Sequence, residues 1–541
     1  MENEGDPFFR KVRGQCITSL YDNDMAYKHF GYEGEVFSGG GTLANELCQK
    51  GIKVVLFEAG ARQSIETFIQ DEWKSFQQLA WLDNRTTSGS FRLVRDFPNL
   101  PTWICKTVGG TTTHWAGASL RLQDHEFRAR THYGEIKDAN LLDWPITLQE
   151  LEPYYARAED KLGVTRTNDI QGLPGNNNFK VFYNGANKLG YKKVSTGHMA
   201  INSQARDGRG ACLQQGFFFQ GCKVGAKWST LYTEIPAAEK TGNLELRDQC
   251  HVAQIEHDDS GKVTGIVYFD KEGKMQRQAA RVVCVAGNSI ETPRLLLMSA
   301  SSRFKDGLAN SSGQVGRNYM RHTTGSVYAV FDEPVHMYRG TTMAGFVQDE
   351  AGHDEKRGFV GGYELETLAL GLPFYAAFFD PGSWGTDFAS YMDAYDYTAG
   401  LWIVGEDMPR TSNRITLNTD AKDANGLPVP NVHFDDHPND VAMRDHAYKQ
   451  GIAMYEAVGA KKAFRTPPYP STHNLGTCRM SEKAEDGVCN KYGQTHDIVN
   501  LFISDGSQFT TGGAENPTLT IVSLAIRQAD YIADQMMKKQ L

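Results

Sequence analysis

The sequence predicts an α/β fold in which a Rossmann-like dinucleotide-binding domain is interleaved with an α+β domain built on an antiparallel sheet. Three observations predict it. Short apolar runs of the buried-strand type, "IKVVLFEAG", "RVVCVAG" and "NLFISDGS", recur far apart in the chain. Helical patterns flank the first and follow the other two, and the last of these closes the chain. The segments between them alternate or are rich in aromatics, so the two textures are woven together and not strung in series.

Taken in order, "GEVFSGGG" at 34–41 leads into "TLANELCQK" at 42–50, where Leu43, Leu47 and Cys48 have helical spacing. Glu58 ends the following strand, where a dinucleotide-binding unit places the acid that meets a ribose hydroxyl. Residues 243–285 alternate around an Asp-Ser-Gly turn and predict a hairpin or meander. "RVVCVAG" at 281–287 precedes "NSIETPRLLLMSA", in which Pro293 fits the first turn of a helix. The aromatics of "LPFYAAFFDPGSWGTDFASYMDAYDYTAGLW" could stack on a sugar or cover a core. "NPTLTIVSLAIRQADYIADQMMKK" reads as the long closing helix.

Composition narrows the function classes. A chain of 541 residues can form two or more domains and bury a large cofactor. Its 54 glycines are about 10% of the chain against a usual 7% or so, which implies many close backbone approaches. The net charge of −9 and the scatter of Lys and Arg argue against nucleic acid as a partner. No apolar run approaches bilayer length and the N-terminus lacks an export pattern, so the expectation is a cytoplasmic protein with no membrane partner. The 9 cysteines include no paired CxxC of the zinc type, so no metal site is expected, and a homo-oligomer is left open.

Five motifs occur in order: "TVGGTTTHWAG" (107–117), "WPITLQELEPYYARAED" (144–160), "GNSIETPRLLLMS" (287–299), "VGRNYMRH" (315–322) and "SDGSQFTTGGAENPTLT" (504–520). Together they resemble the glucose-methanol-choline oxidoreductase family, FAD enzymes that oxidise alcohols, over residues 39–541. The resemblance implies an FAD-binding domain of 1–125, 235–322 and 468–541 and a substrate-binding domain of 126–234 and 323–467. It implies catalytic roles for His473, in "THNLGTCRM", and Asn516, in "ENPTLT". Alcohol oxidation requires a base that takes the hydroxyl proton while a hydride leaves carbon for the flavin, which suits a histidine. Asn474 stands where the family commonly has proline.

By the same resemblance FAD is expected to meet Gly39, Gly41, Glu58, Gly109, Gly110, Thr111, Thr113, His114, Trp115, Ala286, Asp505, Gly506, Asn516, Pro517 and Thr518. Thr-His-Trp at 113–115 is similar to the pyranose 2-oxidase and fructose dehydrogenase branches, which implies a covalent bond from His114 to the flavin; Ala116 departs from the threonine usual in pyranose 2-oxidases. The segment containing Cys212 and Cys222 resembles one that carries an iron–sulfur cluster in membrane-linked relatives. Leu213 and Phe218 replace two of the four thiolates, so no cluster is expected, and the two cysteines are left as a disulfide or as free thiols. Reduced flavin would then pass electrons to O2 or a diffusible acceptor.

The resemblance is closest to glycoside 3-oxidases and pyranose oxidases, which implies oxidation of a secondary ring hydroxyl of a sugar or glycoside, at carbon 3 first and carbon 2 second. Specificity is expected from 323–418, and "GEDMPRTSNRITL" at 405–417 reads as strands bordering the site. An FAD sugar dehydrogenase of the gluconate, glucose or fructose dehydrogenase type is the alternative; a nicotinamide enzyme would need a second dinucleotide motif. A third reading is a family member that binds without catalysis. It rests on Glu35 and Phe37, which occupy two of the three fingerprint glycine positions and leave only Gly39 in register. A carboxylate there opposes a phosphate, so the expectation is weaker FAD binding unless His114 tethers it.

Overall fold

The computed structural model describes residues 38–541 apart from 73–79, 82–85, 91–102, 217, 380–383 and 470. Glu35 and Phe37 lie outside the described residues. Helix α1 (Ser38–Gln49) starts four residues before the pattern predicted, so Gly39 and Gly41 belong to its first turns. Close packing explains this. A Cβ on Gly39 would lie 2.0 Å from the Ser504 carbonyl oxygen, and one on Gly41 2.8 Å from Thr230 Cβ. Leu43 and Leu47 then bury against Phe502, Ala525 and Ala529.

Strand β1 (Val54–Phe57) pairs in parallel with β2 (Leu244–Arg247), Val54 opposite Leu244. Between them in sequence lie helices α2 (Leu148–Leu162) and α3 (Asn177–Lys188). The start of α2 is written locally: Thr147 and Glu150 form a capping box that satisfies two of the free amides of its first turn. The expected meander is present as the antiparallel strands β3 (His251–His257), β4 (Val263–Phe269) and β5 (Met275–Ala279).

Strand β6 (Val283–Val285) feeds helix α4 (Asn288–Met298), which begins earlier than Pro293 suggested. Pro293 therefore sits inside the helix and not in its first turn. Asn288 caps the start, accepting from the amides of Ile290 (2.6 Å) and Glu291 (3.1 Å). The Ser289 carbonyl, which the missing Pro293 N–H cannot serve, accepts instead from Thr477 Oγ1 at 2.7 Å.

The second layer is a sheet of six strands that includes β7 (Thr323–Val330), β8 (Phe346–Val347), β9 (Tyr363–Thr367) and β10 (Thr398–Gly405). Helix α5 (Pro438–Ala457) covers one face, where Gly451 approaches Val327 and Leu401. Strand β11 (Lys462–Arg465) pairs with β7 at one edge, and the short strand Val194–Ser195 pairs with β8 at the other. Registered neighbours in an antiparallel sheet share a face, so Ser326, Trp402 and Glu366 lie together opposite α5. Of the aromatic insertion, Tyr375 is core and Trp402 faces the site, while Trp384 is exposed. The 405–417 segment is only partly strand: Gly405 ends β10 and the next strand begins at Arg414.

Strand β12 (Leu501–Ile503) returns to pair in parallel with β6, and helix α6 (Thr518–Met537) packs against α1 and α2. No helix among the described residues is long and apolar enough to cross a membrane.

Candidate active site

A cleft opens where the 111–118 segment, the inner face of the sheet, the 471–474 loop and the start of α6 converge. Its lining includes Thr111, His114, Trp115, His473, Asn516, Pro517 and Thr518, seven of the residues singled out from sequence. Met343, Leu368, Leu370 and Trp402 supply an apolar wall from the sheet side.

His473 comes from the loop before α6, with its backbone amide donating to Ser471 Oγ at 3.0 Å. Its Nδ1 lies 2.9 Å from Nδ1 of His322, and the rings meet edge to face at 88°. Two imidazole nitrogens can share only one proton, so the assignment follows from the far side of His322. There Nε2 contacts the Gly512 carbonyl oxygen at 3.2 Å, and a carbonyl only accepts. His322 Nε2 thus carries the hydrogen. Burial holds the His322 pKa down to about 4, so its Nδ1 is a bare acceptor. His473 Nδ1 must donate to it, which leaves His473 Nε2 with a lone pair. Burial, then the neighbouring His322, push the His473 pKa well down, so the ring is neutral at pH 7. The exposure this half-buried ring retains is to the cleft it lines.

His322 was not singled out from sequence, although "VGRNYMRH" ends on it. Its backbone is left-handed (φ 60°), an uncommon state for a residue with a Cβ. Asp407 helps hold that turn, accepting from the Arg321 amide at 2.7 Å. Trp402 closes the other side of His473, with ring centroids 5.6 Å apart.

The 109–114 turn is shaped by two glycines at positive φ, Gly109 (94°) and Gly110 (53°). A Cβ on Gly109 would meet Leu231 Cβ at 2.7 Å. Thr113 Oγ1 bonds back to the Gly110 carbonyl at 2.8 Å, so its hydroxyl is turned into the loop. His114 is buried, with Nδ1 2.5 Å from the Phe219 carbonyl oxygen. That carbonyl again fixes the tautomer: Nδ1 donates, and Nε2 is bare. Nε2 is buried without a hydrogen-bond partner among the described residues, and burial lowers the His114 pKa to about 4. Trp115 Nε1 donates to the Trp228 carbonyl at 2.8 Å.

Gly39, Gly41, Glu58, Gly109, Gly110, Thr113, Ala286, Asp505 and Gly506 do not line this cleft. They build the layer behind and beside it. Glu58 Oε1 accepts from the Gly60 amide at 2.7 Å, at the end of β1 where it was expected. Ala286 is half-buried between β6 and α4. Asp505 ties α4 to its own turn, accepting from the Asn288 amide (2.9 Å), Thr292 Oγ1 (2.5 Å) and the Ser507 amide (2.8 Å). A Cβ on Gly506 would lie 2.8 Å from the Asn474 carbonyl, so glycine there lets the 471–474 loop approach. Cys212 and Cys222 are free thiols, half-buried beside a smaller pocket.

This chemistry fits a large polar cofactor. Thr111 Oγ1, His114 Nε2 and Asn516 Oδ1 are buried polar atoms on cleft-lining residues, each without a partner among the described residues. Such groups are costly unless a ligand meets them.

The comparisons with known proteins agree. The N-terminal GMC oxidoreductase family model matches residues 34–324 and the C-terminal one residues 409–525. The chain is 34% identical to a 2-methyl-1,2-propanediol dehydrogenase of Mycolicibacterium austroafricanum, over 92% of this chain and 93% of that one. It is 27% identical to the fructose dehydrogenase large subunit of Gluconobacter japonicus (92% and 96% covered). It is 26% identical to a C-glycoside 3-oxidase of Microbacterium trichothecenolyticum (79% and 75%). Its fold is similar to the crystal structure of pyridoxine 4-oxidase from Mesorbium loti, with a TM-score of 0.63 at 15% identity, covering 92% of this chain and 97% of that one. Matches to both halves of the family, together with a relative above 30% identity along nearly the whole chain, establish that this protein belongs to the GMC oxidoreductases.

Proposed function

We propose that the protein uses FAD to oxidise a secondary ring hydroxyl of a sugar or glycoside to a ketone, at carbon 3 in preference to carbon 2. The observation that carries the alcohol chemistry is the tautomer chain from Gly512 through His322 to His473, which supports a bare Nε2 on a ring that lines the cleft. FAD, when bound, supplies the hydride acceptor. His473 Nε2 takes the hydroxyl proton, His322 holds the ring in the productive tautomer, and the Asn516 amide holds the substrate oxygen. The apolar wall of Met343, Leu368, Leu370 and Trp402 excludes water from the reacting carbon. Electrons then leave to O2 or a diffusible acceptor, since two cysteines cannot hold a cluster.

His114 is the proposed tether. Its Nε2 is deprotonated and, among the described residues, unpartnered, on a ring that lines the cleft, the state a nucleophilic nitrogen needs.

A second reading, oxidation of a small branched diol, is favoured by the same apolar wall, which offers few partners for the many hydroxyls of a sugar. The 34% identity to a diol dehydrogenase supports it too. Anaerobic mixing with glucosides and with short diols, while following flavin bleaching, separates the two. A ketone at carbon 3 of a glucoside supports the first reading, and bleaching by diols alone overturns it.

A further inference from the structure

His473 stands at the apex of a three-residue turn that Asn474 closes twice. The Asn474 backbone amide donates to the Thr472 carbonyl at 3.1 Å, and its side-chain Nδ2 donates to the same oxygen at 3.3 Å. A carbonyl only accepts, so Nδ2 faces Thr472 and Oδ1 points away from it. There Oδ1 accepts from the Tyr319 hydroxyl at 2.5 Å, in a buried bond. The Asn474 carbonyl accepts from Ser289 Oγ at 2.6 Å, which pins the chain leaving the turn to α4. The alcohol chemistry leaves Tyr319 and Asn474 without a part.

Tyr319 belongs to the segment that ends on His322. Within it Met320 forms an isolated antiparallel bridge with Leu475, the two exchanging amide-to-carbonyl bonds of 3.0 and 2.9 Å. Two residues further along each chain, the same register sets His322 opposite His473, whose Nδ1 atoms are 2.9 Å apart. A single bridge is a weak determinant of register, and a slip of one residue would part the two rings. The Tyr319–Asn474 bond crosses the same gap beside that bridge. Tyr319 is a fixed post for it: its amide donates to the Asn413 carbonyl at 3.0 Å, and its ring packs in a core with Ile290, Ile415 and Phe434. Residues 471–474 border the cleft, so packing supports the turn from one side and hydrogen bonds must fix the rest.

We propose that Tyr319 and Asn474 are positioning residues for the oxidation: their phenol-to-amide bond holds the 472–474 turn in the register at which His473 Nδ1 meets His322, and so keeps the bare Nε2 of His473 on the cleft. Removing the phenol oxygen leaves the Asn474 amide free to turn, and with it the second of the two bonds that close the turn around His473. The His473 ring then samples orientations in which its Nδ1 hydrogen no longer meets His322 and either nitrogen can carry the proton. The inference rests on the reading of His473 as the group that takes the hydroxyl proton.

The test is the limiting rate of anaerobic flavin reduction in the holoenzyme, driven by a glucoside or a short diol, with the substrate dissociation constant taken from its concentration dependence. Tyr319→Phe should lower the rate by about tenfold or more and leave the dissociation constant within about twofold. Asn474→Ala should do the same, and the double variant should be no slower than the slower single one, because one bond is removed only once. In a His322→Phe background Tyr319→Phe should cost less than about twofold, since the contact it preserves is already gone. A wild-type rate in Tyr319→Phe, a loss confined to the dissociation constant, or factors that multiply in His322→Phe would each overturn the proposal. Should Asn474→Ala fail to fold, the Tyr319→Phe and His322→Phe cycle decides alone. His473→Ala separates the two levels: a wild-type rate there overturns the reading of His473 itself, whereas a slow His473→Ala beside an unaffected Tyr319→Phe overturns only the positioning role. Nitrogen NMR spectra of histidine-labelled protein give a readout independent of turnover, with the His473 signals assigned by their loss in His473→Ala. One tautomer, protonated on Nδ1, is expected in wild type and a mixture in Tyr319→Phe; the wild-type pattern retained in Tyr319→Phe overturns the proposal.

Discussion

His322 Nδ1 and His473 Nδ1 lie 2.9 Å apart, and the Gly512 carbonyl beyond His322 decides which of them carries the proton. The direction of this chain matters more than its length. It leaves the bare nitrogen of His473 on the cleft side without needing a carboxylate partner, which would raise the pKa of the ring.

Replacing His322 by Phe removes the acceptor for the His473 Nδ1–H and frees the ring to change tautomer. The expected result is a fall in kcat of about 10- to 100-fold with KM nearly unchanged, because orientation and not binding is lost. His322→Gln, whose carbonyl can accept the same hydrogen, should recover part of that loss. Steady-state kinetics that show a rise in KM alone would contradict the assignment.

The bare Nε2 of His114 predicts covalently held flavin. After denaturation and filtration of the wild-type protein, yellow colour should stay with the polypeptide, and His114→Ala should release all of it. Free flavin from the wild type contradicts the tether.

Gly39→Ala tests the packing that lets α1 approach the segment after β12. Its new Cβ would fall 2.0 Å from the Ser504 carbonyl oxygen. Backbone cannot yield cheaply there, so the substitution should cost about 1–3 kcal/mol, as overpacking does. Thermal unfolding of the holoenzyme should show a lower Tm, together with reduced FAD occupancy. An unchanged Tm would mean that α1 can shift freely.

Glu406 gives a stability prediction with a definite sign. Burial, then the charge of Glu126, raise its pKa from 4.5 to about 8, and Tyr133 OH donates to its Oε2 at 2.9 Å. A group that holds its proton more tightly when folded contributes fully below its unfolded pKa. That contribution fades as pH rises through the folded pKa. Glu406→Gln keeps an acceptor for Tyr133 and cannot ionise. Relative to wild type it should therefore gain on the order of 1–3 kcal/mol between about pH 5 and about pH 8.5. Denaturant unfolding at the two pH values measures it, and a pH-independent difference contradicts the shift.

The parts of the fold that were legible are those with long local periodicity. The closing helix and the 243–285 meander announce themselves because each residue's neighbours in space are near in sequence. Thr111, His114, Trp115, His473 and Asn516 were legible as motifs, and the cleft gathers them. His322 was not, because its meaning lies in a contact 151 positions away. The buried strand β9 was hidden for a different reason: its carboxyl groups, Glu364 and Glu366, contradict the usual pattern of what goes inside. Pro293 misplaced the start of α4 because the side chain that relieves its missing hydrogen bond, Thr477, comes from another segment. Gly39 and Gly41 lay ahead of the predicted helix, and it is their small size that lets its first turns pack against Ser504 and Thr230.

The central claim is that His473 removes the hydroxyl proton. The most direct measurement is the rate of anaerobic flavin reduction by substrate in FAD-loaded His473→Ala, compared with wild type. The claim predicts a rate lower by at least about 10²-fold, the usual consequence of losing a general base. Reduction at the wild-type rate would contradict it.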